Sequence, residues 1–160
     1  MKVLAVNGSA GKDGILLGSP VYTANISANM QALLERASVV TDMNRNGHLL
    51  QHKAGAAVTA ARRGGALHTL DAMNHFFMLQ GMYIAGSSYW PMAYGQMPGD
   101  VTNDEEGLAA MKHLGQNMAY LLKCLKGGER VYDKKDSAVH TAAALDIYFC
   151  RLWHCLFRRG

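Results

Sequence analysis

The stretch "GILLGSPVYTANISANMQALLER", residues 14–36, decides the fold. Its first five residues are apolar or glycine without alternation, the mark of a short strand covered on both faces, as in a parallel sheet. "SPVYTAN" then breaks the run, and Pro20 fixes the direction in which the chain leaves. From residue 26 the period changes. Ile26, Met30, Leu33, Leu34 and Ala37 recur at helical spacing, which predicts a helix over residues 26–40 with that stripe inward. Buried strand, loop and amphipathic helix in succession are the opening of a βαβ unit.

The pattern repeats outward. Upstream, "KVLAV" (residues 2–6) reads as another short strand. Downstream, the polar turn "DMNRNGH" leads to a small-residue strand, residues 53–61, which ends in "RRGG". A helix over residues 66–80 stops at Gly81, and "MYIAGS" (82–87) reads as the next strand. Residues 87–103, "SSYWPMAYGQMPGDVTN", form a loop long enough to suggest function. "NDEEG" caps and charges the start of a final helix reaching about residue 125. The expectation is an α/β fold with a parallel sheet, whose ligands bind beyond the carboxyl ends of the strands. The loops there are "NGSAGK", "SPVYTAN" and "AARRGG".

The totals narrow the function classes. The chain has 160 residues, 49% hydrophobic and 18% charged, enough for one domain with a core. Residues 1–122 hold eight Lys/Arg and eight Asp/Glu, so the net charge of +4 comes entirely from residues 123–160. The basic balance therefore does not mark the main domain as a nucleic-acid binder. Three cysteines without CxxC spacing, all in the last quarter, give neither a disulfide framework nor a metal site. His48 and His52 flank a turn, and His68 and His75 share a helix, but no HExxH pattern or cysteine partner accompanies them. The chain enters its first strand without a signal-peptide pattern, and no run is long and apolar enough to span a bilayer, so a cytoplasmic location is expected.

Three segments carry a family likeness: Asn7 to Ser9, "GSPVYTANISANMQALLER" (18–36) and "KAGAAVTAARRGGALHTLDAMNHFFMLQGMYIAGS" (53–87). Over roughly residues 1–126 the chain resembles the flavodoxin-like NAD(P)H-dependent FMN reductases, in particular the branch of iron–sulfur flavoproteins and their cluster-free relatives. The resemblance implies a flavodoxin-like three-layer sandwich, bound FMN and NAD(P)H as reductant. It also implies a small-molecule electron acceptor and assembly as a homodimer or homotetramer. Ser9, with the amides around it, would hold the FMN phosphate, against the plain-turn reading of "GSA". "NGSAGK" is not a Walker A loop, because Lys12 is followed by Asp13. Ser19, Pro20, Val21, Tyr22, Thr23 and Asn25 would lie along the flavin ring. Ala61, Arg62, Arg63, Gly64 and Gly65 would meet its pyrimidine edge, the arginines facing reduced flavin or a nicotinamide phosphate. Tyr89, Trp90 and Tyr94 would cover the ring or line a dimer contact. A strand-end turn, a solvated basic turn and a self-anchored loop are the competing structural readings of these three segments. No acid–base residue is expected to be essential, since the flavin carries the chemistry.

Two departures from the family pattern stand out. Strands at residues 2–6 and 14–18 cannot be parallel neighbours, because a parallel crossover takes about a dozen residues or more and "NGSAGKD" is shorter. A segment omitted or deleted near residues 10–13 is the favoured explanation. A tight antiparallel hairpin, which would spoil the phosphate site, is the other. Cluster cysteines of the iron–sulfur branch would fall in that stretch, so no cluster is assigned. The second departure is residues 127–160, a polar linker and a basic, amphipathic tail. The tail suits a packed final helix, a partner subunit or, less readily, a membrane surface. A non-enzymatic flavin-binding electron carrier or interaction module is the alternative to an oxidoreductase.

Overall fold

The structure, a computed structural model, describes residues 4–6, 14–45 and 48–128. The chain divides into two units, Met1–Lys123 and Cys124–Gly160; the sheet and its core lie in the first.

Strand β2 (Gly14–Pro20) and strand β3 (Ala54–Ala61) run parallel in unbroken register, from Gly14 opposite Ala54 to Pro20 opposite Ala60. Helix α1 (Ala28–Asp42) connects them. Ser27 caps α1, its hydroxyl accepting from the Met30 amide at 3.3 Å. Helix α2 (Ala66–Leu79) follows β3. The far edge of β3 carries two short parallel strands, β4 (Tyr83–Ile84) at its start and β5 (Met92–Tyr94) at its end. A 3-10 turn, Asp100–Asn103, precedes helix α3 (Glu105–Gly128).

Small residues in β3 let helices pack closely on both of its faces. On one face Ala57 meets Met30 and Leu34 of α1 and Leu70, Met73 and Phe77 of α2 in one buried cluster. A Cβ on Gly55 would lie 2.8 Å from the Phe77 ring, so glycine there makes room for the largest fully buried side chain. On the other face Ala56 and Ala85 pack with Leu114 of α3. The result is the expected three-layer α/β sandwich.

Three expectations need correcting. The first strand, β1 (Leu4–Val6), is antiparallel to β2, with Leu4 opposite Gly18 and Val6 opposite Leu16. The short connection to β2 permits a hairpin and not a crossover, so the antiparallel alternative holds, and β1 is not the first member of the parallel set. The strand predicted over 82–87 is only two residues long, and the loop predicted over 87–103 contains β5. Leu33, placed on the inward stripe of α1, is 43% exposed. Met30, Leu34 and Thr41 are the buried residues of that helix, and Leu33 lies off their line. The linker and tail predicted from residue 127 fall almost wholly outside the described residues.

Candidate functional site

Where β2 ends, the Val21 amide still donates to the Ala60 carbonyl at 2.9 Å. The chain then reverses within four residues. Tyr22 and Asn25 exchange two backbone hydrogen bonds, of 2.9 and 3.0 Å. The residues between them, Thr23 and Ala24, both sit in the left-handed region, at φ 51° and 58°. Such a turn favours asparagine and glycine, and each other residue there costs about 1–2 kcal/mol. Side-chain clamps hold it. The buried Ser19 hydroxyl accepts from the Ser27 amide at 3.0 Å and donates to the Pro20 carbonyl at 2.9 Å. Asn25 Oδ1 accepts from the Ile26 amide at 2.8 Å. Thr59, buried in β3, donates its hydroxyl to the Ser19 carbonyl at 2.8 Å.

The second loop leaves the end of β3 next door. Gly65 adopts φ 88° and begins α2. A Cβ on Gly65 would fall 2.7 Å from Ala24 Cα and 3.0 Å from Val21 Cγ1. Both the conformation and the approach therefore require glycine, and its absence of a side chain is what lets the two loops touch. Residues 21–25 and 61–65, far apart in sequence, form one continuous rim at the carboxyl ends of β2 and β3.

That rim has the properties of a site for a flat, acceptor-rich heterocycle. The backbone amides of Thr23, Ala24, Arg62, Arg63 and Gly64 have no protein acceptor among the described residues, so five N–H donors are available within two adjoining loops. Tyr22 is 49% exposed and offers a ring face. Arg62 and Arg63 are exposed and have no carboxylate partner among the described residues. They make the rim positive.

The predicted residues thus divide by task. Pro20, Val21, Tyr22, Thr23, Asn25 and 61–65 come together on the rim. Ser19 is 4% exposed and its hydroxyl is spent inside the loop, so it positions the rim. Ser9 lies outside the described residues. Ala24, which is not among the residues predicted to lie along the ring, is the residue against which Gly65 packs; "TA" carries none of the composition that announces a left-handed turn. Tyr89 and Trp90 stack edge-to-face, centroids 4.6 Å apart. They border a cleft of about 390 Å³ between β4 and β5 that none of residues 19–25 or 61–65 lines.

The segment after β5 is ordered by two aspartates. Asp100 accepts from the Gln96 and Met97 amides at 3.1 and 2.7 Å. Asp104 accepts from Gly107 in the first turn of α3 at 2.9 Å and from Tyr94 of β5 at 2.8 Å. These bonds, the Gly107 one first, hold the Asp104 carboxyl below its ordinary pKa. His48 meets Asp42 at 3.5 Å, and the His52 ring stacks on Tyr83 at 6.0 Å. No group of three metal-ligating side chains occurs among the described residues. Nor is any described helix long and apolar enough to cross a membrane.

Comparison with known proteins agrees with this geometry. Residues 10–96 match the sequence model of the family described as NADPH-dependent FMN reductase. An iron-sulfur flavoprotein of Methanocaldococcus jannaschii is 36% identical over 121 residues, covering 71% of this chain and 61% of that protein. A second from the same organism is 25% identical over 126 residues, covering 72% and 62%. The chain thus spans about three-fifths of the length of these relatives. Among solved structures it is similar to a flavodoxin, WrbA-like protein from Agrobacterium tumefaciens, at 20% identity and TM-score 0.48, covering 68% of this chain and 69% of that one. The match over residues 10–96 spans more than half of the chain and includes both loops of the rim, and it places the chain in the NADPH-dependent FMN reductase family.

Proposed function

We propose that the chain binds FMN on the rim formed by residues 20–25 and 61–65 and acts as an oxidoreductase. Reducing equivalents would come from NAD(P)H and leave to a quinone, a free flavin or another small acceptor. The observation that carries this reading is the contact between Gly65 and Ala24, which joins the two loops of the family match into one surface. FMN, when bound, would supply the hydride and electron chemistry, and the chain would supply position and electrostatics. Tyr22 offers the ring a face. The free amides of Thr23 and Ala24 and of residues 62–64 suit the nitrogen and carbonyl acceptors of the heterocycle. Arg62 and Arg63 favour the anionic reduced ring or the phosphate of the nicotinamide donor. A cytoplasmic location goes with this reading, because the nicotinamide reductant is supplied there.

Association of copies also fits. Helix α1 exposes Val39 and Val40, its C-cap residue Met43 is exposed as well, and α2 exposes Met78 and Leu79, each by more than half; such apolar surface is used for assembly. A homodimer or homotetramer is the proposed state.

The test is titration of the purified chain with FMN, followed by anaerobic addition of NADPH or NADH. Saturable binding and bleaching of the visible flavin band support the oxidoreductase. Binding without bleaching leaves a flavin-binding carrier, and no binding removes both. The double variant Arg62→Ala/Arg63→Ala should keep the fold and weaken nicotinamide-driven bleaching at least tenfold.

A further inference from the structure

The far edge of β3 is interrupted at one rung. Odd-numbered residues of β3 turn their amides and carbonyls toward β4 and β5. The Lys53 and Gly55 carbonyls each accept at 2.8 Å, from the Tyr83 and Ala85 amides. The Thr59 amide donates to the Pro91 carbonyl at 3.1 Å, and the Ala61 carbonyl accepts from Gly95 at 3.0 Å. Ala57 lies between these rungs. Continuing β4 would give its N–H the Ala85 carbonyl. Continuing β5 backward would give its C=O the amide of residue 91, which is proline and has no N–H. Neither bond forms, and no other protein group among the described residues replaces them. β3 covers Gly55 to Ala61 in six steps while its neighbour takes ten from Ala85 to Gly95, and the surplus loops away at residues 86–90.

The cleft described above sits at this interruption, with Ala57 in its lining. Leu70, Ile84, Pro91 and Trp90 make its walls mostly apolar. Asn74, on the α2 side, contributes an amide with no partner among the described residues. Ala57 is 2% exposed, so its two backbone groups are removed from bulk water, where an unmade hydrogen bond is costly. A slot of this volume with apolar walls and a few convergent polar groups is the form of a small-molecule site.

We propose that the interruption at Ala57 is a binding site for a small flat ring carrying an amide edge, a primary carboxamide or a cyclic amide. One residue's N–H and C=O, directed the same way, match a syn acceptor and donor on one planar group. The apolar walls take the ring, and Asn74 adds a third polar contact. The site is separate from the rim, since none of residues 19–25 or 61–65 lines it.

The test uses the full chain, isotope-labelled, with benzamide as probe and acetophenone and toluene as controls. Benzamide should shift the Ala57 amide resonance saturably and bind about tenfold more tightly than acetophenone, which lacks the donor. Pro91→Ala supplies the missing N–H and should weaken benzamide about tenfold while leaving FMN titration unchanged. An Ala57 resonance unmoved by benzamide overturns the proposal. So do equal affinities for the three probes, competition between benzamide and FMN, or a folded Pro91→Ala chain that binds benzamide as before. If Pro91→Ala does not fold, the Ala57 shift and the probe ranking in the unaltered chain decide.

Discussion

Strand β3 has two edges, and they are built differently. On the β2 side the ladder is continuous over seven rungs and ends in loops that touch through Gly65 and Ala24. On the other side two short strands leave a gap at Ala57 that a proline keeps open. An unbroken parallel ladder delivers two loop backbones to a fixed separation. That is what a rim of amide donors needs, because main-chain donors cannot be re-aimed by a rotamer change. A broken ladder gives up hydrogen bonds and gains a recess in the middle of the sheet edge. One edge therefore organises backbone outward at its end, and the other leaves backbone groups inward at its centre.

The largest expected effect breaks the continuous side. Gly65→Ala adds a methyl 2.7 Å from Ala24 Cα at φ 88°. Strain and clash together should cost about 2–4 kcal/mol. Urea unfolding should show the loss, and FMN affinity should fall with it. If stability drops but FMN affinity holds, the contact matters for folding and not for the rim.

A smaller effect loosens the end of the split side. Asp104→Ala removes the cap of α3 and the acceptor for the Tyr94 amide, with an expected cost of about 1–2 kcal/mol near neutral pH. The carboxyl pKa is lowered in the fold. Its contribution is therefore complete above the ordinary carboxylate range, about pH 4, and is lost as pH falls through the lowered folded value. Wild type and variant should converge in acid, which pH-dependent unfolding midpoints would reveal. A gap that stays constant down to low pH would mean the charge is irrelevant. FMN titration should be nearly unaffected, because Asp104 serves the other edge.

The smallest effect relaxes the rim. Thr23 sits at φ 51° without being glycine. Thr23→Gly should stabilise the chain by about 0.5–1 kcal/mol, visible as a small rise in the unfolding midpoint. A fall would show that the threonine side chain earns its place by a contact beyond the turn.

These cases also show what was legible beforehand. Residues 14–36 could be read because strand, loop and helix are contiguous and each has its own period. The α/β class and the rim's two segments followed from such local patterns. The contact of Gly65 with Ala24 could not be read, since nothing local says which loops meet, and "TA" is uncharacteristic of its turn. The gap at Ala57 was hidden for a related reason. "MYIAGS" looks like a full strand, and its early end depends on Pro91, which can only be recognised as a ladder-breaker once the register of β3 is known. The direction of β1 was a choice between a missing crossover and a hairpin. β1 pairs antiparallel with β2, because strand pairing responds to the length of connection present.

The proposed flavin site requires the two touching loops to act together. Backbone amide hydrogen exchange, with and without saturating FMN, tests it residue by residue. Exchange should slow in both residues 22–26 and 61–66, with residues 85–91 unchanged. Slowing confined to one of the two loops, or centred on the split edge, would contradict it.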